Sequence, residues 1–245
     1  MSDSPYSDQY RLDFVSHMEE VRRRILFCLV FLSAGAVAAF LNIEYLMRVI
    51  RRPIENRVDE LIFISPTEAF SAAVKVSLLT AFILTFPVLL YQLWRFISPA
   101  VSQNNKRRVS IWLIAGFFLF LSGTAFSYFI AIPAALDFLL GFGSRIASSN
   151  ITLGKYTSFF GALLLIGGII FELPVFLAVL TEVGIVSPKL LSEKRKYAVI
   201  VMLVIAAIIT PTQDIFNMLV IALPMYILYE IGIFISIIIH RSHKQ

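Results

Sequence analysis

The chain has 245 residues, 58% of them hydrophobic and 15% charged, with a mean hydropathy of +0.83 and a net charge of +5. Soluble domains carry about 25% charged residues, so the composition excludes one and requires a polytopic, all-α membrane protein. The basic excess falls where cytoplasmic loops are expected, so topology accounts for it and no nucleic-acid partner is called for.

The opening residues hold Asp3, Asp8 and Asp13 and reach no apolar run before Ile25. That is not the basic-then-apolar start of a removable signal peptide. Over residues 8–24, Leu12, Val15, Met18 and Val21 recur every three residues, which predicts an amphipathic helix on the cytoplasmic face leading into the first span. Its polar side carries His17, Glu19, Glu20, Arg22, Arg23 and Arg24. The first span is predicted over Ile25–Leu41, and its lone Cys28 rules out an intramolecular disulfide.

Residues 42–69, interrupted by Pro53 and Pro66, are predicted to form an outside loop that caps the bundle and holds short helices. The second span is expected over Phe70–Phe96, with Pro87 near its middle and Lys75 snorkelling to the interface. An inside loop over 98–108 contains Pro99 and ends in Lys106, Arg107 and Arg108. The third span is expected over Val109–Ile132 with Pro133 at its exit, followed by a second outside loop over 136–157.

Ser158–Thr181 is the segment that carries a site. It is long enough to cross a hydrocarbon core of about 30 Å, yet holds Glu172 in its apolar part. A carboxylate at mid-helix costs about 2.5–3.5 kcal/mol in lipid, so Glu172 must face protein or a water-lined cavity. Pro174 removes a donor from the carbonyl of Ile170 and predicts a kink beside it. The competing reading is a carboxyl that only hydrogen-bonds a neighbouring helix.

The second inside loop is predicted over 182–196, with a helix start at Ser187-Pro188. Tyr197–Ile209 is then only about 20 Å long as a helix. A turn over 210–214 follows, and the return segment meets Pro224 and then Glu230. If Glu230 marks the aqueous boundary, the last two spans are both short and thin the bilayer locally. Six spans with both termini inside place fourteen Lys and Arg on the cytoplasmic side and six outside, from Arg48 to Lys155, which favours N-in, C-in.

Phosphate-loop, zincin and nucleophile-elbow motifs are absent, and His17, His240 and His243 lack metal-ligand spacing. An enzyme, a cofactor and a metal are therefore not expected. Two non-enzymatic rivals remain from the residues alone: a small secondary transporter with Glu172 as its ion or proton site, and a scaffold for other membrane proteins. The transporter would show internal repeats, and none is evident.

Several short stretches, in order, then carry a likeness. His17-Met18-Glu19-Glu20-Val21-Arg22, Arg52-Pro53-Ile54, Phe86-Pro87-Val88, Phe96-Ile97-Ser98-Pro99-Ala100, Phe171-Glu172-Leu173-Pro174, Thr210-Pro211 with Asp214, and Pro224-Met225-Tyr226 resemble the C subunit of the twin-arginine translocase, the TatC family. The resemblance implies a cup of six helices in the bacterial cytoplasmic membrane that receives folded cargo bearing Arg-Arg signal peptides. It also implies single-span partners of the TatA/TatB type, self-association in the complex, and transport driven by the proton-motive force. Glu20 matches the family's first recognition acid, with Glu19 and Arg22 beside it. The second recognition acid falls on Asn105, which brings no charge, so Glu19 is a candidate to compensate. Glu172, Pro174, Thr210 and Asp214 match partner-contact positions, and Pro53, Pro87 and Pro99 structural ones.

Overall fold

The computed structural model describes residues 5–58, 60–97, 106–143, 150–209 and 215–242. Among them ten α-helices follow one another: α1 (Pro5–Leu41), α2 (Ile43–Glu55), α3 (Pro66–Ile97), α4 (Lys106–Phe126), α5 (Ile132–Gly143), α6 (Leu153–Phe171), α7 (Leu173–Glu182), α8 (Pro188–Glu193), α9 (Arg195–Ile209) and α10 (Ile215–Ser242). A π-helical turn, Ser127–Ala131, joins α4 to α5. Five stretches are long and apolar enough to cross a membrane: Met18–Leu41, Pro66–Phe96, Ile111–Gly143, Leu153–Glu182 and Met218–Arg241. The expected amphipathic segment and first span form one uninterrupted helix, α1.

The spans pack as α1 on α3, α3 on α6, α4 on α6, and α7 on α10. α6 and α7 are central, with 44% of their apolar window buried against 6% for α1. Close approach explains the glycines between α4 and α6. A Cβ on Gly123 would meet the Gly167 carbonyl oxygen at 2.5 Å, and one on Gly168 would meet the Phe120 ring at 2.6 Å. Phe120 is fully buried and stacks on Phe86 of α3 at 3.5 Å.

Three expectations are corrected. The third span does not end at Ile132; helix continues through Pro133 to Gly143, because the Ile132 N–H bonds the Ser127 carbonyl five residues back and the wider turn absorbs the missing proline donor. The last span is not short. α10 is a 28-residue helix whose apolar window passes Glu230, because that carboxylate is neutralised by Arg195 at 2.8 and 3.0 Å and also accepts from the Tyr226 hydroxyl at 3.0 Å. Only α9, with 15 residues, about 22 Å, keeps the expected shortness. Nor does Pro53 break the loop, since α2 runs through it to Glu55.

Pro53 is tolerated for a reason visible across the fold. It cannot donate to the Val49 carbonyl, and the Tyr128 hydroxyl from the π turn donates there instead, at 2.8 Å. Tyr156 of α6 likewise donates to the Ile50 carbonyl at 2.6 Å. Tyr128→Phe should therefore cost about 1–2 kcal/mol of stability. In Pro53→Ala, where an N–H returns, the same change should cost little; a thermal-unfolding double-mutant cycle reads the difference.

At the end of the bundle that bears α2, the loops before α3 and α6 are joined. Ile62 and Thr152 form a parallel bridge, and the Glu68 carboxylate accepts from the backbone N–H groups of Ile64 at 2.9 Å and Gly154 at 2.8 Å. Arg57 pairs with Asp137 of α5 through both carboxylate oxygens, a hydrogen bond that raises the guanidinium pKa above its ordinary value despite partial burial. Lys75 donates to Ser158 on α6 at 2.9 Å. At the opposite end the Ser187 side chain accepts from the Leu190 N–H at 3.2 Å and starts α8, as its Ser-Pro pair predicts. Near mid-bundle the π turn, the end of α6 and Pro224 of α10 meet around one small cavity lined by Phe126, Ser127, Gly167, Ile170, Ile221 and Pro224.

Candidate functional site

Two places gather the residues singled out from the sequence. The first is a groove of about 570 Å³ between α1 and α3, at the end of the bundle away from α2. Helical spacing builds it: Glu20, Arg24, Phe27 and Phe31 descend one face of α1, while Pro87, Val88, Tyr91, Gln92 and Arg95 descend the facing side of α3. Its floor is aromatic and apolar and its rim is charged. Glu20 is half-exposed and ion-paired with Arg24, four residues on; Arg24 is mostly buried and also donates to the Gln92 carbonyl at 3.3 Å. Arg23 and Arg95 add two more cations to the walls.

Glu20 and Pro87 thus meet in one groove. Glu19 and Arg22 do not line it; they share a shallower surface with Glu20, Arg23 and Leu26. Asn105, Pro99, Thr210 and Asp214 lie outside the described residues. Sequence reasoning passed over Phe27, Phe31, Tyr91, Gln92 and Arg95. Their i, i+4 spacing on two helices was the available signal, but a stripe of that kind reads as core until the facing helix is known.

The second place is the joint between α6 and α7. α6 ends at Phe171 and α7 begins at Leu173, so Glu172 sits at the break. Pro174 falls in the first turn of α7, where no donor is needed, and the Glu172 N–H points back to the carbonyls of Ile169 and Ile170. The kink expected from Pro174 is therefore a helix restart whose freed carbonyl finds a partner. The Glu172 carboxylate lies against α4, where a Cβ on Gly116 would come within 2.9 Å of Oε2. Oε1 is buried with no hydrogen-bond partner among the described residues, and so is the indole Nε1 of Trp112, one turn before Gly116 on α4. An acceptor and a donor left open on the same side of the bundle are the chemistry of a polar contact still to be made.

Comparison with known proteins agrees over nearly the whole chain. The sequence profile of TatC, the Sec-independent protein translocase protein, matches residues 16–224. The Sec-independent protein translocase protein TatC of Aquifex aeolicus is 37% identical over 238 residues, which cover 96% of this chain and 98% of that protein. TatC of Escherichia coli K12 is 32% identical over 229 residues, 91% of this chain and 87% of that one. A crystal structure of a twin-arginine translocase receptor, TatC, superposes with a TM-score of 0.79 at 37% identity, covering 91% of this chain and 99% of the other. Family and fold agree, and the chain belongs to the TatC family of Sec-independent protein translocase proteins, components of protein transport rather than enzymes.

Proposed function

We propose that the chain is the signal-peptide receptor and core subunit of a twin-arginine export system in the bacterial cytoplasmic membrane. The observation that carries this reading is the groove that presents the Glu20 carboxylate above an aromatic floor. A guanidinium donates two parallel hydrogen bonds to a carboxylate, and the apolar part of a signal peptide suits Phe27, Phe31 and Tyr91. Arg24 already occupies Glu20, so docking is an exchange in which an incoming arginine replaces Arg24, whose own guanidinium retains the Gln92 carbonyl. Selectivity comes from geometry, since lysine cannot make the two-pronged contact. Glu19 on the adjoining surface and Asn105, which lies outside the described residues, complete the proposed set of acceptors.

The topology proposed is N-in, C-in with six crossings in a cup, α9 being the short fifth. TatA/TatB-type single-span helices dock on the Glu172 side, with Pro174, Thr210 and Asp214 as the further contact residues proposed, and the proton-motive force drives transport. A photoprobe at Tyr91 tests the receptor: an Arg-Arg precursor should label strongly and a Lys-Lys control weakly. Equal labelling by both would remove the receptor reading. For the partner site, Glu172→Ala should cut co-purification of the single-span subunits about tenfold, as expected when an uncompensated hydrogen bond to a charged group of about 1.5–3 kcal/mol is lost, while precursor labelling stays within twofold.

A further inference from the structure

A second groove, of about 230 Å³, lies between α1 and α3 at the opposite end from Glu20, lined by Val37, Phe40 and Leu41 of α1 and by Val74, Ser77 and Leu78 of α3. Its one polar side chain is spent internally: the Ser77 hydroxyl donates to the Ala73 carbonyl at 2.8 Å. A channel without free polar groups, inside two membrane-spanning helices, selects a hydrocarbon chain. What lies above it decides which hydrocarbon. The apolar window of α1 ends at Leu41, which lines the groove, and α2 begins two residues later at Ile43, so the first turns of α2 follow directly on the groove's end, where the apolar span gives way to headgroup depth.

α2 turns its apolar side, Ile50, Pro53 and Ile54, into the protein core. Its outward stripe carries Tyr45, Arg48, Arg51 and Arg52, all exposed, with the Arg48 guanidinium 5.9 Å from the centre of the Tyr45 ring. Glu44 and Glu55 share that stripe, yet none of the three arginines forms an ion pair with them or with any other group among the described residues. The stripe carries three cations against two carboxylates, and with none of its guanidinium groups ion-paired it can take an anionic counterpart. Arginine forks match phosphate oxygens, and an interfacial tyrosine sits at the same depth.

We propose that this groove and stripe form a binding site for one anionic phospholipid of the bilayer. An acyl chain lies along Val37, Phe40, Leu41, Val74 and Leu78, and the phosphate sits on Arg48 and its neighbours. The site is built from the cap helix and the α1–α3 pair, so a bound lipid ties the cap to the two helices that also form the Glu20 groove.

The test uses the full chain in vesicles, with Phe40→Trp as a reporter in the groove and the unsubstituted chain as the background to subtract. Tail-brominated phosphatidylglycerol or tail-brominated phosphatidylcholine is titrated into unlabelled phosphatidylcholine. Half-maximal quenching should need about fivefold less of the anionic lipid for each arginine that holds the phosphate. Changing Arg48, Arg51 and Arg52 to Gln should equalise the two lipids while both still quench, which also reports an intact groove. Equal quenching by the two lipids in the starting protein would reduce the site to ordinary lipid contact and overturn the proposal. Quenching by neither would overturn it in favour of a protein occupant, a second copy or a partner helix.

Discussion

Glu20→Lys is expected to weaken binding of an Arg-Arg precursor by about 10- to 100-fold. A hydrogen bond to a charged group contributes about 1.5–3 kcal/mol, and the substitution also places a fourth cation beside Arg23, Arg24 and Arg95. Fold stability should barely change, because the Glu20–Arg24 pair is a half-exposed i, i+4 contact of a few tenths of a kcal/mol. Glu20→Gln separates charge from hydrogen bonding, since it keeps an acceptor and loses the anion; it should fall between the parent and Glu20→Lys. Precursor titration against the purified protein in nanodiscs, at two salt concentrations, reads both effects, and the electrostatic part should shrink at the higher one. If the lysine variant binds as the parent does, the groove is not where the arginines are read.

Gly123→Ala is expected to be a strongly damaging small substitution in the bundle. The new methyl would stand 2.5 Å from the Gly167 carbonyl oxygen and 2.8 Å from Cβ of Phe171. Both are backbone or backbone-proximal atoms that cannot swing aside, so α4 and α6 must move apart and lose the packing of Phe120 and Thr124 against Gly168. Overpacking of this kind costs about 1–3 kcal/mol, and here the upper end applies because the clash is with main chain. Gly161→Ala on α6, the facing helix, is the control: its Cβ would meet only a Leu79 methyl at 3.6 Å, and alanine favours helix by about 1 kcal/mol over glycine. Thermal unfolding in one detergent, followed by loss of the monodisperse peak, should separate the two variants by many degrees. Equal midpoints would mean that the α4–α6 contact gives way without cost.

How much of this could be read from the residues differs by kind. Spans were legible because a bilayer imposes length and polarity on them: Ile25–Leu41 falls within α1, and Ser158–Thr181 within the apolar span Leu153–Glu182 that α6 and α7 share. Ser187-Pro188 was legible because capping is local. The failures share a cause. Pro53, Pro133 and Glu230 read as boundaries because each is unfavourable within an apolar helix on its own, and each is accommodated by something distant or by a changed turn: Tyr128, a π turn, and Arg195 with Tyr226. Glu172 stands out in the sequence because its cost in lipid is intrinsic. The Glu20 groove was half legible, since the acid stood out by likeness to a family, whereas Tyr91 and Gln92 gained meaning only once α3 lay beside α1.

The small cavity shared by the π turn, the end of α6 and Pro224 has a mechanical consequence. At that depth three of the crossing rods lack the regular i to i−4 ladder that makes a helix stiff, and they lack it side by side. Bending of these three rods is therefore easiest in one stratum, as at a waist, between the end that bears the Glu20 groove and the end that bears α2.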